Sequence, residues 1–188
     1  GVEQNQTKAF ECFEKGAHLD HYDSYYNLAL CYLKGIGTEV NSTKAFQNFQ
    51  KGAEWGVIDS IFYLGVCYDN WIGTEQNSTR AFEIFQKAAQ FDQKESIYNL
   101  AISYYNGIVA KQNYTKSFEL FKKSAELWYT EAFYDVGDCY LYGEGVKINY
   151  TKGFEYHQKA YELGCNKSLL KLAICYANGY GVKRNIDK

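Results

Sequence analysis

Apolar and small residues recur along the chain in two alternating helical patterns. The first reads Ala45, Phe46, Phe49, Gly52 and returns as Ala81, Phe82, Phe85, Ala88, as Ser117, Phe118, Phe121, Ser124 and as Gly153, Phe154, His157, Ala160. An earlier copy reads Ala9, Phe10, Phe13, Gly16. Intervals of four and three between the first, third and fourth members put them on one face of an α-helix, with small residues where a second helix must come close. The second pattern is Leu28, Ala29, Tyr32, repeated as Leu64, Gly65, Tyr68, as Leu100, Ala101, Tyr104, as Val136, Gly137, Tyr140 and as Leu172, Ala173, Tyr176. It predicts a second helix that ends at Gly35, Gly107, Gly143 and Gly179, with Trp71 as the exception. Glycine there supplies the left-handed residue that closes the last carbonyls.

An asparagine opens each pair of helices. Asn5, Asn41, Asn77, Asn113, Asn149 and Asn185 follow one another at a constant interval of 36 residues. A fixed period of that size is the signature of stacked helical repeats. The chain therefore divides into the end of a preceding repeat (1–4), five repeats (5–40, 41–76, 77–112, 113–148, 149–184) and the start of another (185–188), all expected in one body. The opening "GVEQ" resembles the "GTEQ" at 73–76, and there is no Met, which reads as a piece of a longer protein. Helices of about a dozen residues are marginal alone, so stacking must stabilise them. The asparagine sits just before the "TKAF"-type helix, where its side-chain oxygen can cap an early N–H for about 1 kcal/mol. The same residues spell N-x-T, a glycan acceptor pattern in a secretory setting.

The runs "YNLALCYLKGIGTEVNSTKAFQNFQKGAE" (26–54), "YNLAISYYNGIVAKQNYTKSFELFKKSAE" (98–126) and "YDVGDCYLYGEGVKINYTKGFEYHQKAYE" (134–162) resemble Sel-1-like repeats, relatives of tetratricopeptide repeats. The resemblance covers essentially the whole chain. Two departures are the lack of any proline in the turns and the replacement of expected glycines by Trp71 and Val109. The resemblance implies a right-handed α-solenoid acting as a non-catalytic adaptor for proteins, in signalling, in quality control within the secretory pathway, or in cell-wall synthesis. Some secreted members carry two cysteines per repeat and were described as β-lactam hydrolases, which sets the enzyme alternative.

In tetratricopeptide-like stacks the second helix lines the concave face. A stripe beside its core positions comprises Tyr26, Phe62, Tyr98 and Tyr134, then Leu30, Val66 and Ile102, then Leu33, Tyr105 and Leu141. This apolar, aromatic stripe suits a peptide or helix of a protein partner. Its first four members compete with packing between repeats. Asp23, Asp59, Glu95 and Glu131 start the same helices and read first as favourable charge at a helix N-terminus, and second as an acidic rim.

Net charge is −2, which disfavours nucleic acid as a partner, and the longest apolar run, "IFYLGVCY" at 61–68, is too short to enter a membrane as a span. Four of the six cysteines (Cys31, Cys67, Cys139, Cys175) share one repeat position, too far apart to pair sideways. They read as small packing residues, and Cys12 with Cys31 is the sole candidate for a bridge within a unit. Free thiols favour the cytoplasm over a secretory lumen. His18, His21 and His157 show no zinc spacing with the cysteines, and no nucleophile–base pair is readable. No cofactor, metal or catalytic centre is expected. Oligomeric state is open, and the cut ends leave room for end-to-end stacking.

Overall fold

The computed structural model describes residues 2–182, with side chains from residue 5. Ten helices form, and no strand occurs among the described residues. They are α1 (Val2–His18), α2 (Tyr22–Lys34), α3 (Ser42–Glu54), α4 (Ile58–Asp69) and α5 (Ser78–Ala89), then α6 (Lys94–Asn106), α7 (Tyr114–Glu126), α8 (Thr130–Tyr142), α9 (Tyr150–Glu162) and α10 (Ser168–Asn178). The chain parts between Gln93 and Lys94 into two compact units, α1–α5 and α6–α10.

In the first unit Leu28, Ala29, Tyr32, Ala45, Phe49 and Cys67 make the core. The small residues admit close helix contact as expected. A β-carbon on Gly52 would run into the Ser60 side chain, and one on Gly65 into the Phe85 ring. In the second unit Ala101, Phe121, Ala125, Val136, Cys139 and Tyr140 form the core. Here Ser117 and Ser124 take the small positions, and their hydroxyls donate to the carbonyls of Ala101 (2.8 Å) and Lys94 (2.9 Å).

The Phe of one helix meets the Tyr of the next edge-on. Phe10–Tyr32, Phe46–Tyr68, Phe118–Tyr140 and Phe154–Tyr176 have ring centroids 5.3–5.4 Å apart. Such pairs add about 0.5–1.5 kcal/mol beyond burial. Lys44, Arg80 and Lys152 lie over Tyr32, Tyr68 and Tyr140, so in three repeats the cation rests on the tyrosine of the one before.

Asn41, Asn77, Asn113 and Asn149 all cap, accepting the N–H three residues on at 2.9–3.0 Å. Asn5 departs from this expectation, because α1 begins at Val2 and carries Asn5 inside it. Asn185 lies outside the described residues. The predicted glycines close their helices in the left-handed region, with Gly35, Gly143 and Gly179 at φ 70–77°. Trp71 takes the same conformation at φ 58°. Val109, at φ 67°, centres a γ-turn in which Ala110 N–H donates to the Ile108 carbonyl at 2.7 Å. Both residues thus keep the left-handed φ that glycine takes at the equivalent positions, so the replacements place a side chain in an unfavourable conformation without altering that φ.

Candidate functional site

The stripe residues fall into two groups. In each unit the first ring of the stripe packs on the following helix. Tyr26 meets Phe49 (6.2 Å), Phe62 meets Phe85 (6.1 Å), Tyr98 meets Phe121 (5.5 Å) and Tyr134 meets His157 (5.2 Å). Leu30, Leu33, Val66, Ile102 and Tyr105 are half-buried and retain surface. Leu141 differs, being only 4% exposed. Its side chain fills the space that Gly153 leaves by lacking a β-carbon, so it belongs to packing and has no face for a partner.

In the second unit a cavity of about 200 Å³ opens beside Ile102 and Tyr105, lined also by Phe121, Asp135, Asp138 and Glu144. Two of its acids come from α8 and the third from the turn that follows, where Gly143 and Gly145 reverse the chain at positive φ. Tyr98 Oη donates to Asp135 Oδ2 at 2.9 Å. Tyr105 Oη lies 3.0 Å from each Glu144 oxygen. Asp138 Oδ1 pairs with Lys171 Nζ at 2.8 Å and lies 3.3 Å from His157 Nε2.

The electrostatics follow from these contacts. Burial pushes the Asp135 carboxyl up to about 6; the Tyr98 hydroxyl opposes this and the neighbouring Asp138 adds to it. Burial also works against the Asp138 charge, but hydrogen bonds from His157 and Lys171 outweigh it and hold that carboxyl below its ordinary value. Burial acts to lower Lys171, yet its bonds to Asp138 and Tyr142 keep it above the usual lysine range. Tyr105 rises to about 12, first through burial and then through its bond to Glu144.

The corresponding place in the first unit carries different residues. Counting from the opening asparagine, Asp135 corresponds to Tyr63, Asp138 to Val66 and Glu144 to Ile72. Tyr63 stacks on Phe49 at 5.0 Å with ring planes 12° apart. An aspartate in that place leaves Phe121 without the matching stack, while Tyr98 at 5.5 Å and Tyr105 at 6.5 Å keep the ring buried beside the cavity. Asp135 lies outside the predicted stripe and Glu144 lies in a turn, so a helical-face argument passes over both. The available signal was that one repeat carries acids at Asp138 and Glu144 where the others carry Leu, Val, Ile or Tyr; the Asp135 position is Asn27, Tyr63, Asn99 and Lys171 elsewhere and gives no such contrast.

A wider hollow of about 890 Å³ lies at the loops before α2 and α4, where Tyr22 and Trp55 stack at 4.3 Å, and it holds no stripe residue. All six cysteines are free, Cys12 and Cys31 included. Cys31, Cys67, Cys139 and Cys175 are at most 3% exposed. Burial pushes the Cys67 and Cys139 thiols up to about 12. Cys12 is exposed and Cys165 partly so, and both are free as well. Among the described residues no cluster of three or more His, Cys, Asp or Glu could hold a metal ion, and no helix is long and apolar enough to cross a membrane.

The Sel1 repeat family model matches residues 1–21, 23–56, 58–90, 94–127, 130–165 and 166–188. The protective antigen c5321 of uropathogenic Escherichia coli, which displays an SLR fold, is 29% identical with a TM-score of 0.88 over 94% of this chain and 38% of its own. A Sel1 repeat protein from Oxalobacter formigenes is 27% identical, with a TM-score of 0.83 over 96% of this chain and 74% of its own. Cysteine-rich protein B of Helicobacter pylori shares the fold at 19% identity, with a TM-score of 0.56 over 68% of this chain and 96% of its own. This chain thus spans well under half of the E. coli antigen. No curated protein matches it.

Proposed function

The chain belongs to the Sel1 repeat family, whose members are generally protein-interaction scaffolds, and from that premise we propose a non-catalytic adaptor whose second unit receives a basic side chain of a protein partner. The partner segment runs against Ile102 and Tyr105, and its lysine or arginine enters the cavity between Asp135, Asp138 and Glu144. The observation that carries this reading is unbalanced charge in a confined space. Lys171 matches Asp138, whereas the hydrogen bonds to Asp135 and Glu144 come from tyrosine hydroxyls. The charge of Lys167 only partly offsets Asp135. Tyr105 and Phe121 add ring faces, which attract a cation by about 0.5–2 kcal/mol. In the first unit Leu30, Leu33 and Val66 offer an apolar surface of the same register, with Asp69 exposed at the end of α4.

The groups that catalysis would call on are used otherwise. His157 is fully buried in the place of a core phenylalanine, and Cys139 is held as a neutral thiol by burial.

Peptides selected by display against the purified chain test the proposal. The expected consensus holds a lysine or arginine beside apolar residues. Replacing that residue with norleucine weakens binding at least tenfold in the wild type and little in Glu144→Gln. A consensus without a basic residue, or equal affinity for the norleucine peptide, overturns the reading.

A further inference from the structure

We propose that Asn41, Asn77, Asn113 and Asn149 are acceptors for N-linked glycans, and hence that the chain folds in a secretory lumen. Each begins an N-x-T tripeptide and is exposed at the start of α3, α5, α7 or α9. The cap uses one end of the amide only. Oδ1 accepts the N–H of Lys44, Arg80, Lys116 or Lys152, and Nδ2 makes no hydrogen bond. The nitrogen that would carry a sugar is therefore free on all four, while the oxygen that holds the helix is not needed for the linkage.

Capping accounts for the asparagine alone, and Ser, Thr or Asp would serve nearly as well. It leaves the threonine two residues on without a role. Thr43, Thr79, Thr115 and Thr151 are exposed in the first turn and make no side-chain hydrogen bond. Threonine is also a weaker helix former than the Lys, Glu or Ala that a solvated position would favour. The residue between, at 42, 78, 114 and 150, switches between Ser and Tyr, so the stretch is not held fixed as a whole. The other recurrent residues have structural work: the basic residue that follows rests on a tyrosine in three repeats, and the phenylalanine pairs edge-on with another. A requirement for Asn and Thr two apart is what transfer of a glycan imposes.

The chemistry closes with a lipid-pyrophosphate-linked oligosaccharide as donor. The amide nitrogen forms a bond to the anomeric carbon and gives up one proton. The bond from that carbon to the phosphate oxygen breaks, and the lipid pyrophosphate leaves with the electron pair. Oδ1 keeps its lone pairs, so each cap survives its glycan. The folded chain shields Cys31, Cys67, Cys139 and Cys175 from oxidants, while Cys12 is exposed and Cys165 partly so.

The test is mass spectrometry of the protein isolated from the cells that make it. Enzymatic deglycosylation in ¹⁸O-water should convert residues 41, 77, 113 and 149 to labelled aspartate, and unmodified asparagine at all four sites overturns the proposal. A second measurement probes the argument from threonine. Thr43→Ala, Thr79→Ala, Thr115→Ala and Thr151→Ala, made singly in unglycosylated protein, should each leave Tm within about 2 °C. A loss of several degrees would give threonine a structural role and remove the ground for the inference.

Discussion

The repeat at 41–76 and the repeat at 113–148 share a backbone plan although most of their residues differ. In the first, Tyr63 stacks on Phe49. In the second, Asp135 stands in place of the tyrosine, Phe121 loses its stacking partner, and a cavity with three carboxylates appears. Glu144 in place of Ile72 and Asp138 in place of Val66 complete the change. The shared positions hold the helices together, and the departures decide what each stretch can bind. One aromatic-to-acid exchange thus gives up a stacking contact to gain a charged recess.

The largest expected effect tests the packing side of that contrast. Phe49 is fully buried and stacked, so Phe49→Ala should cost about 3–5 kcal/mol. Phe121→Ala removes a ring that already borders open space, and its cost should fall at the lower end of that range or below it. Urea unfolding of both variants measures the difference, and equal losses would mean the cavity leaves Phe121 as well packed as Phe49.

A smaller effect concerns Asp135. Its carboxyl, raised to about 6, holds its proton more tightly in the folded chain than in the unfolded one, where about 4 is usual. Its contribution to stability is therefore full below about pH 4 and is lost as pH rises through about 6. Asp135→Asn keeps an acceptor for Tyr98, and should gain about 1–2 kcal/mol at pH 7.5 and nothing at pH 3.5. Thermal melts at the two pH values check this. A basic peptide should bind more weakly as pH drops below 6, because the recess loses charge.

The smallest effect probes a feature that both units share. Asn77→Ala and Asn149→Ala should each cost about 1 kcal/mol, while Asn→Asp at either site should be nearly neutral. A markedly different cost at the two sites would show that the caps are not equivalent.

Much of the architecture was legible in the chain. Helix pairs, glycine closures and four of the five described caps follow from spacing, because each rests on local geometry that one repeat must satisfy by itself. Asn5 misled because an earlier stretch of helix runs through it. Half of the site was also legible. Ile102 and Tyr105 came from the helical face, whereas Asp135 and Glu144 did not, since their meeting depends on how α8 and its following turn bring a third residue to Phe121. Leu141 looked like its stripe neighbours until Gly153 was seen to admit it into the interior. Averaging over repeats finds what they have in common, and the acids of the recess are exceptions to that average.

The most direct test gives the second unit the residues of the first. Asp135→Tyr with Glu144→Ile should close the recess, hold or raise Tm, and reduce affinity for a lysine-bearing selected peptide at least tenfold by calorimetry. Unchanged affinity in a variant that remains folded would contradict the account, because the acids would then have no part in holding the partner.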